Sequence, residues 1–203
     1  MAPSIKFVYF DIGNVFMTYD HVFRKVVSDF TLNQTELDRV YEPYDIDANL
    51  GKINIPKVWT ILCEKLSINN GSSYDFIKSW VSDYESIIPM HEFIKSIEGQ
   101  YPLGIISNYY AGFYEECITQ GFIPKVNFTD VIISAEVGLM KPDIKIYDLA
   151  EKRSGFRGEE ILFIDDKQEN LYSARTLGWQ VFLFDYKQPV KSVTELKKIL
   201  KLV

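Results

Sequence analysis

The sequence predicts an α/β fold, a doubly wound parallel sheet with a small helical-bundle cap inserted after its first strand. Short apolar runs occur at 7–10, 103–106, 131–133, 161–164 and 181–184. Helical patterns follow the last four of them, at 109–120, 143–154, 169–177 and 192–201. This alternation implies parallel strands joined by helices that cover both faces of the sheet. Residues 17–87 instead carry helical periodicity with hardly any strand signal. The expected division is therefore a core of 1–16 and 88–203 and a helical cap of 17–87.

The first strand, Phe7-Val-Tyr-Phe10, is apolar at every position, as a strand buried on both faces must be. In the cap, Val22, Phe23, Val26, Val27 and Phe30 fall on one helical face. Val58, Trp59, Leu62, Cys63 and Leu66 repeat that spacing, as do Phe76, Ile77, Trp80, Val81 and Tyr84. Asn33 followed by Glu36 is a capping pair that opens a further helix, expected to stop before Pro43. Pro56 suits the first turn of its helix. Three stripes and this shorter helix make a bundle whose members bury their apolar faces against one another.

The chain has 203 residues, 47% hydrophobic and 25% charged, the balance of an ordinary globular protein with a real core. A net charge of −6 without any basic run argues against a nucleic-acid surface. Cys63 and Cys117 are far apart in helical segments, so small apolar packing in a reducing interior is expected rather than a disulfide. No apolar run approaches the ~20 residues of a membrane helix. The start, Met-Ala-Pro-Ser-Ile, does not read as a signal peptide. A cytoplasmic location without membrane partners is expected.

Ligands of open parallel sheets bind beyond the carboxyl ends of the strands. Those positions hold Asp11, then Ser107 and Asn108, then Asp165 and Asp166, while Lys141 stands ahead of the helix after the third strand. Taken singly, Ser107 reads as a helix cap and Lys141 as a solvated boundary residue. Asp11 reads as readily as a turn residue or helix cap as a functional group, and the acidic pair could cap the next helix but points more to function. Adjacent carboxylates after a buried strand, however, repel each other unless a cation compensates. Four strand-end sites carrying a nucleophile candidate, a hydroxyl, a cation and a metal-type acid pair make a pattern that the single readings do not explain.

The motifs Phe10-Asp11-Ile12-Gly13-Asn14-Val15, Ile106-Ser107-Asn108, Gly138-Leu139-Met140-Lys141-Pro142-Asp143 and Phe163-Ile164-Asp165-Asp166, with Asn170 behind, resemble in order and spacing those of the haloacid dehalogenase superfamily of phosphatases. The resemblance covers nearly the whole chain and implies that family's Rossmann-like core with a small helical cap. The Asp-x-Gly-Asn-Val form is similar to a group that includes bacterial α-D-glucose-1-phosphate phosphatase and relatives of the phosphatase domain of soluble epoxide hydrolase.

The resemblance implies that Asp11 attacks phosphorus and forms an aspartyl-phosphate. It implies a magnesium ion held by the Asp11 carboxylate, the Gly13 carbonyl and Asp166. Lys141 would offset charge on nucleophile and phosphate. Ser107 and the Asn108 backbone N–H would donate to phosphate oxygens, and Asp165 would orient Lys141 or a metal-bound water. The expected function is magnesium-dependent hydrolysis of a small phosphorylated metabolite, a sugar phosphate being one such class. The family's common pattern places a second Asp, the general acid and base, where this chain has Gly13. Three explanations stay open: another group supplies the proton, the leaving group departs unaided, or the protein binds phosphate compounds without turnover. A 2-haloacid dehalogenase is a further reading, against which the metal-type pair Asp165-Asp166 counts. A signalling receiver domain does not fit the order of the acids and the lysine.

Weaker signals remain. Asp45-Ile-Asp47-Ala-Asn49 resembles the start of a calcium loop, but Leu50 and Pro56 stand where Gly and Glu are needed. Within 41–51, Tyr44, Asp45 and Asn49 are candidates for substrate hydroxyls or parts of an exposed polar turn. Surface roles are expected for His21 and His91. Asn14, Met17 and Tyr19 are candidates for the cap hinge, and Tyr109 and Tyr110 for the crevice border or the core.

Overall fold

Alternate residues of the first strand, β1 (Phe7–Phe10), serve two different cores in the computed structural model, which describes residues 5–19 and 22–202. Val8 and Phe10 pack on one side of the sheet, Phe7 and Tyr9 on the other. β1 is the middle of a five-stranded sheet with β4 (Leu103–Ser107), β5 (Phe128–Ile133), β6 (Ile161–Asp165) and β7 (Gln180–Leu183), in the order β5-β4-β1-β6-β7. Every pairing in it is parallel. The order reverses between β1 and β6, which opens a crevice at their carboxyl ends. The rings of Tyr9 and Phe7 crowd Gly104, where any side chain would meet the Tyr9 ring at 2.4 Å.

Other elements appear between β1 and β4. Two short strands, β2 (Met17–Thr18) and β3 (Glu85–Ser86), pair antiparallel. Between them run α1 (Arg24–Phe30), α2 (Gln34–Asn49), α3 (Ile55–Lys65) and α4 (Phe76–Val81), packed on one another. α5 (Ile88–Ile97), with Pro89 in its first turn, buries Met90, Phe93, Ile94 and Ile97 and is an element the sequence reading omitted. α6 (Phe113–Gln120), α7 (Ser134–Val137), α8 (Ile144–Ser154), α9 (Gln168–Thr176) and α10 (Pro189–Ile199) complete the chain. α5, α6 and α10 share a core on one face, α8 and α9 on the other. This is the expected doubly wound arrangement.

Several local expectations are corrected. α2 does not stop before Pro43 but runs through it to Asn49. An interior proline costs about 3 kcal/mol. Against that, the Asn33 side chain caps the start by accepting from the Glu36 N–H at 3.1 Å. Further along, Asn49 donates back to the Asp45 carbonyl at 3.0 Å and Tyr41 donates to the Asp45 carboxylate at 3.2 Å. α1 begins at Arg24 rather than Val22, because Phe23 is left-handed at φ 66°. That strained backbone is held by its ring, 4.2 Å from Trp80 and 5.2 Å from Tyr41 between centroids. Helix 109–120 starts only at Phe113, after the left-handed Gly112.

His91 is buried, not superficial, and its Nε2 donates to the Phe16 carbonyl at 3.0 Å. Burial lowers its pKa. The unfolded chain therefore takes up a proton near its ordinary value of ~6.5 before the folded protein does, so stability falls as pH drops through that region. Thermal midpoints compared at neutral and mildly acidic pH are expected to show this loss, and His91→Gln to flatten it. His21 lies outside the described residues. Cys63 and Cys117 are free. No helix of the described residues is long and apolar enough to cross a membrane.

Candidate active site

The strand ends bring the predicted residues together. Asp11 follows β1, and its N–H donates to the Ile164 carbonyl at 2.9 Å, tying it to β6. Ser107 ends β4 and donates from Oγ to Asp11 Oδ1 at 2.7 Å. Lys141, in the connection between α7 and α8, is 2% exposed. Its Nζ lies 2.9 Å from Asp11 Oδ1 and 2.6 Å from Asp165 Oδ2. Ser107 is therefore no helix cap, and Lys141 no solvated boundary residue. Asp165, the buried end of β6, accepts from Asn170 Nδ2 at 3.0 Å on both oxygens and from the Lys167 N–H at 2.8 Å. The last of these bonds reaches the N–H of Lys167, the residue ahead of α9, so Asp165 steadies the approach to that helix without being its capping residue.

The Asn108 side chain does something the sequence reading missed. Its Oδ1 accepts from the Lys141 N–H at 2.7 Å and its Nδ2 donates to the Lys141 carbonyl at 2.8 Å. This two-point clamp fixes the backbone from which the lysine reaches inward. The amide of Asn14, a residue at φ 54°, donates to Asp166 Oδ2 at 2.9 Å. Asp166 Oδ1 is buried without a partner among the described residues.

The charges are unequal. Asp11, Asp165 and Asp166 present oxygens within 4.8 Å of one another. Among the described residues, Lys141 is the one ammonium in contact with them. Burial pushes the Asp11 carboxyl up to about 6, opposed by Lys141 and reinforced by Asp165. Burial also raises Asp166, opposed by the Asn14 hydrogen bond. For Lys141, burial pulls downward, but the carboxylates of Asp11 and Asp165 outweigh it and hold the ammonium above its ordinary range. Excess negative charge and an orphaned carboxylate oxygen suit a hard divalent cation. Both contacts to Asp11 fall on Oδ1, leaving Oδ2 without a hydrogen-bond partner among the described residues.

Above this floor is a cavity of about 800 Å³ walled by residues of the helical segment, including Arg39, Tyr41 and Trp80. The segment 41–51 is not an exposed turn: Tyr41, Ala48 and Asn49 are buried on α2. Asp45 faces the cavity and accepts from Tyr110, from Tyr41 at 3.2 Å and from Asn49 at 3.2 Å. Tyr44 points elsewhere and accepts from Lys65 Nζ at 3.1 Å, so it is not a cavity residue. Tyr109 and Tyr110 both border the cavity. Of the hinge candidates, Met17 is core, Asn14 serves Asp166, and Tyr19 lines the cavity beside Gly13. Burial, with the nearby carboxylates of Asp11, Asp166 and Asp165, raises the Tyr19 pKa and keeps the phenol protonated.

Residues 18–184 match the sequence profile of the family described as haloacid dehalogenase-like hydrolase. An (S)-2-haloacid dehalogenase from Pseudomonas putida is 40% identical over 82 residues, 39% of this chain and 35% of that protein. One from Pseudomonas fluorescens is 39% identical over the same length. The matched stretch thus spans about a third of the length of these curated relatives. A predicted HAD-like family hydrolase from Porphyromonas gingivalis has a similar structure, with a TM-score of 0.76 at 21% identity over 95% of this chain and 97% of that one. A HAD family enzyme from Bacteroides thetaiotaomicron, solved with magnesium and inorganic phosphate, gives 0.74 at 17% identity over 90% and 96%. At such identities these likenesses speak for the fold.

Proposed function

This chain belongs to the haloacid dehalogenase-like hydrolases, and on that premise we propose that it is a magnesium-dependent phosphomonoesterase of a small phosphorylated metabolite. The observation that carries this reading is Asp166 Oδ1, a buried carboxylate oxygen without a partner among the described residues, beside Asp11 and Asp165. Such an arrangement calls for a cation, which displacement of halide by a carboxylate does not need. The magnesium and phosphate held by the Bacteroides enzyme agree with it. The Asp-x-Gly-Asn-Val motif, similar to that of α-D-glucose-1-phosphate phosphatase, makes sugar phosphates a substrate class to try. Residues 17–87 act in this reading as a cap that shields the cavity from water.

Each residue has a task in this proposal. Asp11 Oδ2 attacks phosphorus while Ser107 and Lys141 hold the carboxylate through Oδ1. Lys141 places positive charge where the phosphoryl oxygens arrive, and the backbone N–H of Asn108 donates to one of them. Asp165 and the Asn108 side chain hold Lys141 in that position. Asp11, the Gly13 carbonyl and Asp166 would hold magnesium, which neutralises charge on the phosphate when bound. Water then releases phosphate from Asp11.

The local likeness to (S)-2-haloacid dehalogenases supports a second reading, hydrolysis of a 2-haloacid through an ester on Asp11. Phosphate release from an aryl phosphate that EDTA abolishes is expected under the first reading. Halide release that EDTA leaves intact would replace it with the second. Asp166→Asn is expected to weaken magnesium binding, read by calorimetry, by at least tenfold.

A further inference from the structure

Position 13 has no side chain, yet the space beside it is filled. A Cβ built on Gly13 would lie 2.5 Å from Tyr19 Cε1 and 3.1 Å from Tyr19 Oη. The phenol stands where a side chain two residues after the nucleophile would project. A tight fold-back puts it there. The Asn14 N–H donates to the Met17 carbonyl at 2.7 Å, Gly13 bridges Met17, and Asn14 takes its left-handed conformation. β2 then pairs with β3 and delivers Tyr19 as its next residue. Tyr84 backs the ring at 6.2 Å between centroids. Tyr19 shares the cavity with Asp11, and its hydroxyl has no hydrogen-bond partner among the described residues.

We propose that Tyr19 is a catalytic residue whose hydroxyl donates to the oxygen that departs from phosphorus, supplying from the β2 segment what Gly13 lacks. This rests on the phosphatase reading. As the Asp11 oxygen bonds to phosphorus, the bond from phosphorus to the departing oxygen breaks and its electron pair stays on that oxygen. The departing oxygen takes the Tyr19 proton and leaves as an alcohol. In the second displacement, water attacks phosphorus, the bond to Asp11 breaks, and a proton of that water returns to the Tyr19 oxygen. The residue then matters in proportion to how poor the leaving group is. Positioned proton donors are typically worth ~10²–10⁴ in rate.

The test compares turnover of an alkyl phosphate and a nitrophenyl phosphate, both with magnesium. Tyr19→Phe keeps the ring and removes the donor. Its kcat on the alkyl phosphate is expected to fall ~100-fold, with a far smaller fall on the aryl phosphate and little change in either KM. The double variant Gly13→Asp with Tyr19→Ala puts a carboxyl into the vacated space and is expected to regain alkyl-phosphate turnover relative to Tyr19→Ala alone. Equal losses on the two substrates, or no loss on either, would overturn the role of Tyr19 and leave the phosphatase reading standing. A wild-type protein inert on both substrates would overturn that reading and the role of Tyr19 with it.

Discussion

Replacing Asp11 with Asn is expected to lower phosphate release by at least ~10⁴-fold while the protein stays folded. Losses of this order and larger follow removal of a covalent nucleophile in other hydrolases. The amide keeps the size of the carboxyl and its carbonyl oxygen can still accept from Ser107 and Lys141, now at 2.7 and 2.9 Å from Oδ1. What it lacks is a charged oxygen that can attack phosphorus. The fold should hold because burial pushes the native carboxyl up to about 6, so its charge is held there at a cost. Thermal unfolding without metal is expected to show Asp11→Asn at least as stable as the native chain at neutral pH. The sign follows from the raised value: the native carboxyl favours folding more as pH falls through about 6, so any advantage of the variant shrinks there. Turnover within tenfold of wild type in a folded Asp11→Asn protein would remove Asp11 from the mechanism.

Lys141→Met is expected to act on stability as well as on rate. The ammonium is 2% exposed and contacts the carboxylates of Asp11 and Asp165 at 2.9 and 2.6 Å. Methionine fills similar space without the charge, which leaves two buried acids facing each other. Removing one member of a buried ionic cluster typically destabilises by ~3–5 kcal/mol. In the variant the acids take up protons more readily, so the deficit is expected to shrink as pH falls towards 5. In the native protein the raised Lys141 pKa works in the opposite region: its contribution is complete below its ordinary value and is lost as pH rises through the folded one. Denaturant midpoints at neutral and mildly acidic pH measure the first slope, and midpoints taken above the ordinary lysine value of ~10.4 measure the second. A neutral-pH difference below ~1 kcal/mol would show that the cluster is not held by this charge.

The inner strands β1, β4 and β6 were legible because each is buried along its whole length and reads as an apolar run ended by a polar residue. The edge strands, by contrast, are exposed at Thr129 and Leu183, and β5 showed only its last three residues, 131–133. The carboxyl ends of the inner strands were legible for the same reason, and Asp11, Ser107 and Asp165 stand where the runs stop. Lys141 was legible only beside them, since nothing in its own neighbourhood marks a 2% exposed ammonium. Features made by backbone reversal were hidden. Tyr19 reaches Gly13 through Asn14 at φ 54° and a bond from its N–H to Met17, and such a turn leaves no periodicity. The clamp of Asn108 on Lys141 joins residues 33 apart and could not be read from either one. Pro43 misled because its local preference is to end a helix, whereas the Asn33 cap and the Tyr41–Asp45–Asn49 ladder carry α2 past it. His91 misled for a similar reason: a polar residue on an apolar helix reads as surface until the carbonyl of Phe16 appears opposite its ring.

The most direct test of the account is to stop turnover of an aryl phosphate with acid while substrate is in excess and magnesium is present, then locate any phosphoryl group by peptide mass analysis. The account predicts one phosphoryl group on the peptide that contains Asp11, absent from Asp11→Asn and absent when EDTA is added first. A phosphoryl group on another residue, or steady turnover with none trapped on Asp11, would contradict it.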